Sequence, residues 1–417
     1  MPTSVLPEFQ QRGLVADVTS PDELGVHLAQ ASRTVYVGFD PTADSLHVGN
    51  LVPLLGLRRF QLAGHRPIVL VGGGTGLIGD PAGKTGERAL NPEEHVAAFA
   101  ERLKAQVRPF LDFDRGSRAA LLVDNYEWLS KLEVIPFLRD VGKHFGVGAM
   151  IARESVRARL STGISFTEFA YQVLQAYDFL SLNERYGCTI QMGGSDQWGN
   201  ITAGTELIRK TRGADAFGLT LPLVTKSDGT KFGKTESGTV WLDPARTSAY
   251  EMYQSWLNTT DADVLPYLKT FTFLPLADIE ALARRVAEAP EKREAQRVLA
   301  REATQLVHGA AAVTEAERIS QALFSGDVAS LSSRELDAAL RAIPSTRVPA
   351  PNGAVLVTDA LLATGLASSK RAARELIATG AIQVNGERVQ DAALEITGKA
   401  LIRKGKTTYV GVEVTPA

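Results

Sequence analysis

The stretch Thr34–Asn50, TVYVGFDPTADSLHVGN, decides the fold. Its opening, Thr34 to Phe39, alternates and reads as a β-strand. A Pro-bearing turn follows. Leu51 to Leu62 then carries a helical pattern that ends near Gly64, a residue suited to the position just past a helix. Pro53 lies early in that helix, where the missing N–H is tolerated, so the helix is expected to open within about four residues of it. Thr42, His47 and Asn50 therefore crowd a strand-to-helix junction. Backbone donors and an imidazole can meet phosphate oxygens there, because the amino end of a helix favours anions. Gly49 permits close approach of a nucleotide. Taken alone, the tetrad His47–Asn50 is equally well explained as a capped turn with a chance histidine.

Outward from this junction the pattern repeats. Pro67–Val71 (PIVLV) is a compact apolar run typical of a buried parallel strand, and Ala119–Val123 is another. Pro92–Phe110, Phe166–Leu180 and Ile201–Thr211 read as helices, and Thr189–Gln191 as the end of a strand. Strands alternating with helices imply an α/β, doubly wound parallel-sheet (Rossmann-like) domain, whose ligands lie at the carboxyl ends of the strands. From Ala245 to about Leu340 the pattern is almost entirely helical, and IPSTRVPAPNG (Ile343–Gly353) looks like a linker. The expected organisation is a catalytic domain over 1–222, a loop and helical domain over 223–342, a linker over 343–352 and a small α+β domain over 353–417.

Composition narrows the class. The chain has 417 residues, 44% hydrophobic and 22% charged, as in ordinary globular proteins. One cysteine, Cys188, rules out an intramolecular disulfide and a Cys-based zinc site, and the six His are scattered, so no metal site is expected. Met1–Ser20 lacks a basic start followed by an apolar block, and no apolar run approaches a membrane span, so the cytoplasm is the expected compartment. Net charge is −2, yet residues 353–417 carry eight Lys/Arg against six Asp/Glu. An excess this small is also what a solvated surface gives.

Three further segments carry chemistry. KFGKT (Lys231–Thr235) puts two lysines around a glycine in a Gly- and Ser-rich stretch, as suits a mobile loop closing over a polyphosphate; alone it reads better as a solvated basic loop. In FTEFAYQVLQAYDFL (Phe166–Leu180), Tyr171, Gln175 and Asp178 share one helix face among apolar neighbours, which fits a lined pocket better than a core. In QMGGSDQWGN (Gln191–Asn200), Gly193 and Gly194 let backbone approach a ligand, and Asp196 suits ribose hydroxyls. One motif misleads. Gly74, Gly76 and Gly79 spell a dinucleotide fingerprint, but after the second strand, and with Pro81 where the binding helix should run.

Together the His47–Asn50 and Lys231–Thr235 motifs, about 180 residues apart, resemble the paired "HIGH" and "KMSKS" signatures of class I aminoacyl-tRNA synthetases. The departures, Asn50 for the last His and Phe232, Gly233 and Thr235 in the second motif, resemble bacterial tyrosyl enzymes. QMGGSDQWGN and YVGFDPTADSLH (Tyr36–His47) are similar to the same family throughout. That resemblance implies ATP as substrate with Mg²⁺, no bound organic cofactor, and tyrosine joined to its tRNA through an adenylate. It implies Thr42, His47, Lys231, Lys234 and Thr235 as the catalytic charges. Tyrosine would meet Tyr36, Asp80, Tyr171, Gln175, Asp178, Gln191 and Gln197. ATP would meet Gly38, Asp40, His47, Gly49, Asn50, Gly194, Asp196 and Lys234, with Lys84 and Arg88 as mobile pyrophosphate contacts. Leu361–Val389 resembles a small RNA-binding domain, implying Lys370, Arg371 and Arg374 as tRNA contacts, beside Arg209 and Lys210 at the acceptor end. A homodimer is implied as well. The alternatives are a tryptophan-specific relative, a shorter nucleotidylyltransferase, an NAD enzyme and a non-catalytic RNA-binding relative.

Overall fold

In the computed structural model, which describes residues 4–82, 90–114, 116–157, 159–161, 163–230, 232–235, 238–405 and 408–415, the apolar runs become strands of one sheet. They are β1 (Asp17–Val18), β2 (Thr34–Phe39), β3 (Arg66–Val71), β4 (Leu121–Asp124), β5 (Cys188–Gly194) and β6 (Phe217–Leu221). Their spatial order is β1-β6-β5-β2-β3-β4. All are parallel except β1, which runs antiparallel to β6. Helices α1 (Leu51–Leu62), α2 (Glu93–Val107), α3 (Phe166–Tyr186) and α4 (Trp198–Arg212) fall between successive strands from β2 onward. The chain winds from β2 to β4 in one direction and places β5 and β6 on the other side of β2. Strand order reverses between β2 and β5, and a doubly wound sheet opens its ligand crevice at such a point.

Burial explains why these segments are strands. Val35, Ile68, Val69, Ile190 and Leu219 are fully enclosed, as expected where helices cover both faces of a parallel sheet. Strand β6 was not anticipated: FGLTL is a short run with one polar residue, Thr220, whose hydroxyl donates to Asp17 Oδ2 at 2.9 Å. Helix α1 opens at Leu51, behind a 3-10 turn over Val48–Asn50, so Pro53 stands in its first turn as anticipated. Past its end, Gly64 takes φ +97°.

Helix α3 starts where Ser165 Oγ accepts from Glu168 N at 3.3 Å and stops at Gly187, whose φ is +61°. Its first turn is tied down by a buried pair, Arg159 Nη1 to Glu168 Oε2 at 3.0 Å. On α1, Arg59 is buried and donates to Thr272 O at 2.6 Å, while Arg12 donates to Leu274 O at 2.8 Å. Glu8 accepts from both guanidinium groups at 2.8 Å. These bonds fix the carboxyl end of the helix Asp261–Phe271 to the sheet domain.

By contacts the chain divides into two compact units, residues 1–243 with 260–295 and residues 244–259 with 296–417. The second unit packs helices Ala249–Leu257, Ala310–Ser325 and Ser333–Ala342 together. It also holds a five-stranded sheet with Ser345–Pro349 on its edge, parallel to Thr408–Thr415. The Pro-marked stretch read as a linker thus contains a strand. Val348 faces inward, Arg347 pairs with Glu413 at 3.0 Å, and Pro349 comes last, where an edge strand tolerates a missing N–H. No helix among the described residues is long and apolar enough to cross a membrane.

Candidate active site

The carboxyl ends of β2 and β5 carry the polar residues that the sequence singled out. Tyr36 points from β2 into the core, 1% exposed, and its hydroxyl has no hydrogen-bond partner among the described residues. Burial, and then the nearby Asp178 and Cys188, raise its pKa well above the ordinary value. Asp178 on α3 is equally buried. Burial pushes its carboxyl up to about 8, against the pull of two donors, Asn125 Nδ2 at 2.8 Å and Trp128 Nε1 at 2.7 Å.

Asn125 is a hub. Its Nδ2 also donates to Thr75 Oγ1 at 2.9 Å, and its Oδ1 accepts from Gly74 N at 2.7 Å. Thr75 Oγ1 in turn donates to Asp40 Oδ1 at 2.7 Å, and Tyr171 Oη donates to Asp40 Oδ2 at 2.8 Å. A continuous chain of hydrogen bonds, buried except at the half-buried Asp40, therefore runs from Trp128 through Asp178, Asn125, Thr75 and Asp40 to Tyr171. Asn125, Trp128 and Thr75 were missed in the sequence. The available signal was position, since Asn125 stands just past the carboxyl end of β4. A Cβ at Gly72 would lie 2.0 Å from Asp40 Oδ1, so only glycine lets this carboxylate sit there.

A second chain lies beside the first. Asp80 accepts from Ala82 N at 2.9 Å and from Gln197 Nε2 at 2.7 Å. Asn200 Nδ2 bridges Gln197 Oε1 at 3.1 Å and Gln175 Oε1 at 3.0 Å. Burial raises Asp80 to about 6, with Asp40 and Asp196 adding to the rise. Asp40 raises Asp178 too. Carboxylates that push one another up in this way favour an incoming ammonium. Gln191, on β5, is 2% exposed and its Oε1 has no partner among the described residues.

The segment His47–Asn50 forms a capped turn. His47 Nδ1 accepts from Gly49 N, and Asn50 Oδ1 accepts from His47 N, both at 3.0 Å. Burial lowers the His47 pKa, which favours the neutral ring. With Nδ1 accepting, the network assigns the ring proton to Nε2, which leaves a donor. The turn is thus a capping box that leaves the Nε2 donor of His47 unused by the cap. Thr42 is exposed, and its N–H donates to Asp40 O at 2.8 Å. A Cβ at Gly38 would find nothing nearer than 3.9 Å, so the backbone there is open to a ligand. Gly194 sits against Asp196, which is itself exposed.

The two distant signature motifs meet. Val48 N donates to Val240 O at 3.0 Å, Leu242 N to Leu46 O at 2.8 Å, and Val240 N to Gly233 O at 2.9 Å. Lys234–Thr235 pairs with Gly238–Thr239 as a short hairpin. Lys231, Lys84 and Arg88 lie outside the described residues. After β3, Thr75–Leu77 forms only a 3-10 turn. The fingerprint glycines therefore lead into no helix over residues 72–82, and the dinucleotide reading loses its support. Lys210 pairs with Glu206 at 2.9 Å, Arg209 with Glu206 at 3.8 Å, and, in the second unit, Lys370 with Asp359 at 2.6 Å. Arg371 and Arg374 are exposed on the helix Lys370–Ala378.

Residues 29–325 match the family described as tRNA synthetases class I (W and Y), and residues 335–412 match the tyrosine–tRNA ligase SYY-like C-terminal domain. A tyrosine–tRNA ligase of Geobacillus kaustophilus is 57% identical over 97% of this chain and 98% of its own length. One from Desulfitobacterium hafniense is 54% identical over 99% of this chain and all of its own. The solved C-terminally truncated mitochondrial tyrosyl-tRNA synthetase of Aspergillus nidulans superposes with a TM-score of 0.69 at 30% identity, covering 77% of this chain and 94% of that one. The chain belongs to the tyrosine–tRNA ligases of the class I aminoacyl-tRNA synthetase family.

Proposed function

We propose that the crevice between β2 and β5 binds tyrosine by its phenol and ammonium and presents its carboxylate to the α-phosphate of ATP. The reaction has two steps. The carboxylate oxygen attacks the α-phosphorus, and pyrophosphate leaves with the bonding electrons, giving tyrosyl-adenylate. A hydroxyl of the tRNA 3′-terminal adenosine then attacks the acyl carbon and AMP departs. No side chain needs to act as nucleophile; positioning and charge stabilisation carry the rate.

The observation that carries this reading is the buried hydroxyl of Tyr36, without a partner among the described residues, beside the buried carboxyl of Asp178. Leaving such a group without a partner costs about 1–3 kcal/mol. A substrate phenol satisfies both, accepting from Tyr36 and donating to Asp178. An indole has no oxygen to accept from Tyr36, which favours tyrosine over tryptophan. Asp80, Tyr171 and Gln175 then receive the ammonium, with Gln191 and Gln197 against the rest of the substrate.

On the nucleotide side, Gly38, Asp40, Gly49, Asn50, Gly194 and Asp196 line the adenosine, Asp196 taking ribose hydroxyls. His47 Nε2, Thr42, Lys231, Lys234 and Thr235 meet the phosphates, joined by Lys84 and Arg88 as pyrophosphate forms. Mg²⁺ arrives on the ATP phosphates and neutralises charge there. Arg209, Lys210, Lys370, Arg371 and Arg374 are the tRNA contacts, and the cytoplasm is the compartment. A homodimer fits the exposed apolar side chains Val134, Ile135, Leu138, Val147, Leu160 and Phe166, the last 76% exposed.

Substrate choice tests the site. Wild-type enzyme should favour tyrosine over phenylalanine by roughly one to two decades or more in kcat/KM, because phenylalanine leaves the buried Tyr36 hydroxyl unpaired and offers Asp178 no phenolic donor. Tyr36→Phe should shrink that preference by about one decade or more. An unchanged preference in Tyr36→Phe would remove Tyr36 from the phenol site.

A further inference from the structure

The loop that carries KFGKT does not hang free on the side away from the crevice. The helix Asp261–Phe271 presents Asp263, Tyr267 and Phe271 at a spacing of four residues, hence on one face. All three are buried. Asp263 Oδ1 accepts from Ser227 N at 2.8 Å, and Thr260 Oγ1 steadies the same carboxylate through Oδ2 at 2.8 Å. Tyr267 Oη donates to Thr225 O at 3.3 Å. The ring of Phe232 stands 4.9 Å from that of Tyr267, edge-on, and 4.9 Å from that of Phe271, stacked at 24°. One helix face therefore grips the loop at Thr225, Ser227 and Phe232. On the opposite side Gly233, at φ +78°, lies so close to the HVGN turn that a Cβ would come 2.8 Å from Val48 Cγ2.

We propose that Asp263, Tyr267 and Phe271, through Phe232, are positioning residues for the activation step: they form the bed on which the loop lies when its lysines meet the ATP phosphates. None of them touches substrate. The proposal rests on the reading of KFGKT as the phosphate clamp. Phe232 stands two residues before Lys234, so a fixed place for its ring limits where the backbone at Lys234 can lie. A ring held by two others in edge and stacked geometry has a defined position that an aliphatic side chain lacks.

The test compares Phe232→Leu, Phe232→Tyr and Lys234→Ala in ATP–pyrophosphate exchange, with trypsin nicking of residues 226–234 as a second readout. Phe232 is only half-buried, so the variants should fold. Phe232→Leu should lower kcat about three- to tenfold, leave the tyrosine KM unchanged and speed nicking. Phe232→Tyr, which keeps the ring, should restore most of both. Wild-type kcat and wild-type nicking in Phe232→Leu would overturn the proposal, as would a tyrosine KM that rises in step with the loss of kcat. Lys234→Ala separates the two levels. If it loses activity while Phe232→Leu does not, the clamp stands and the bed falls. If Lys234→Ala is itself fully active, the clamp reading fails and the bed with it.

Discussion

Asp178 is a carboxyl in the core with its neighbours already chosen. Asn125 and Trp128 donate to it and favour its charged form, but burial outweighs them and holds its pKa up to about 8. A raised carboxyl pKa has a definite consequence for stability. The folded state prefers the neutral acid, so its contribution is fully present below the unfolded value near 4 and is lost as pH rises toward 8. Asp178→Asn cannot titrate there. Its thermal stability should therefore gain on that of the wild type as pH is raised from 4 to 8, whatever the offset caused by the lost acceptor. Parallel melting curves for the two proteins across that range would show that Asp178 ionises as freely in the fold as out of it. Asp80, raised to about 6, titrates in the same window, which is why the comparison must be between proteins that both retain it.

Among elements, α3 shows what sequence discloses and what it hides. The spacing of Tyr171, Gln175 and Asp178 was legible because a helix puts such residues on one face whatever surrounds it. Their partners were not. Asn125 and Thr75 reach Asp178 and Asp40 from loops after β4 and β3, and pairings between residues 53 and 35 positions apart leave no periodic trace. Strands β2, β3 and β4 were legible as apolar runs bounded by turns. Strand β6 escaped because five residues carry too little pattern, and Ser345–Pro349 escaped because the three prolines of Ile343–Gly353 mark it as a loop although one of them, Pro349, closes an edge strand. The pair Arg159–Glu168 belongs to the same hidden class. Both side chains are 2% exposed, so removing one charge strands the other. Glu168→Gln should cost about 3–5 kcal/mol in urea unfolding. A cost below about 1 kcal/mol would mean the pair is solvated in solution, as surface ion pairs are.

In the whole molecule, every residue assigned to tyrosine or ATP lies between Tyr36 and Thr235, inside the first compact unit. The second unit holds Lys370, Arg371 and Arg374. Ending the chain before Ser345 should therefore preserve tyrosyl-adenylate formation and abolish or strongly weaken charging of tRNA, with what remains more sensitive to salt. Ending it at Pro351 instead leaves Ser345–Pro349 without the strand it pairs with, Thr408–Thr415, and should give a protein more prone to aggregate. If the shorter chain folds but no longer makes adenylate, the second unit takes part in activation. If it charges tRNA normally at physiological salt, the C-terminal cations are not the tRNA contacts. The most direct test is ATP–pyrophosphate exchange by the full-length protein, with the standard amino acids supplied one at a time. Tyrosine should drive exchange, and phenylalanine and tryptophan should fall behind it by orders of magnitude; exchange with phenylalanine at the tyrosine rate, or a preference for tryptophan, would contradict a crevice built around Tyr36 and Asp178.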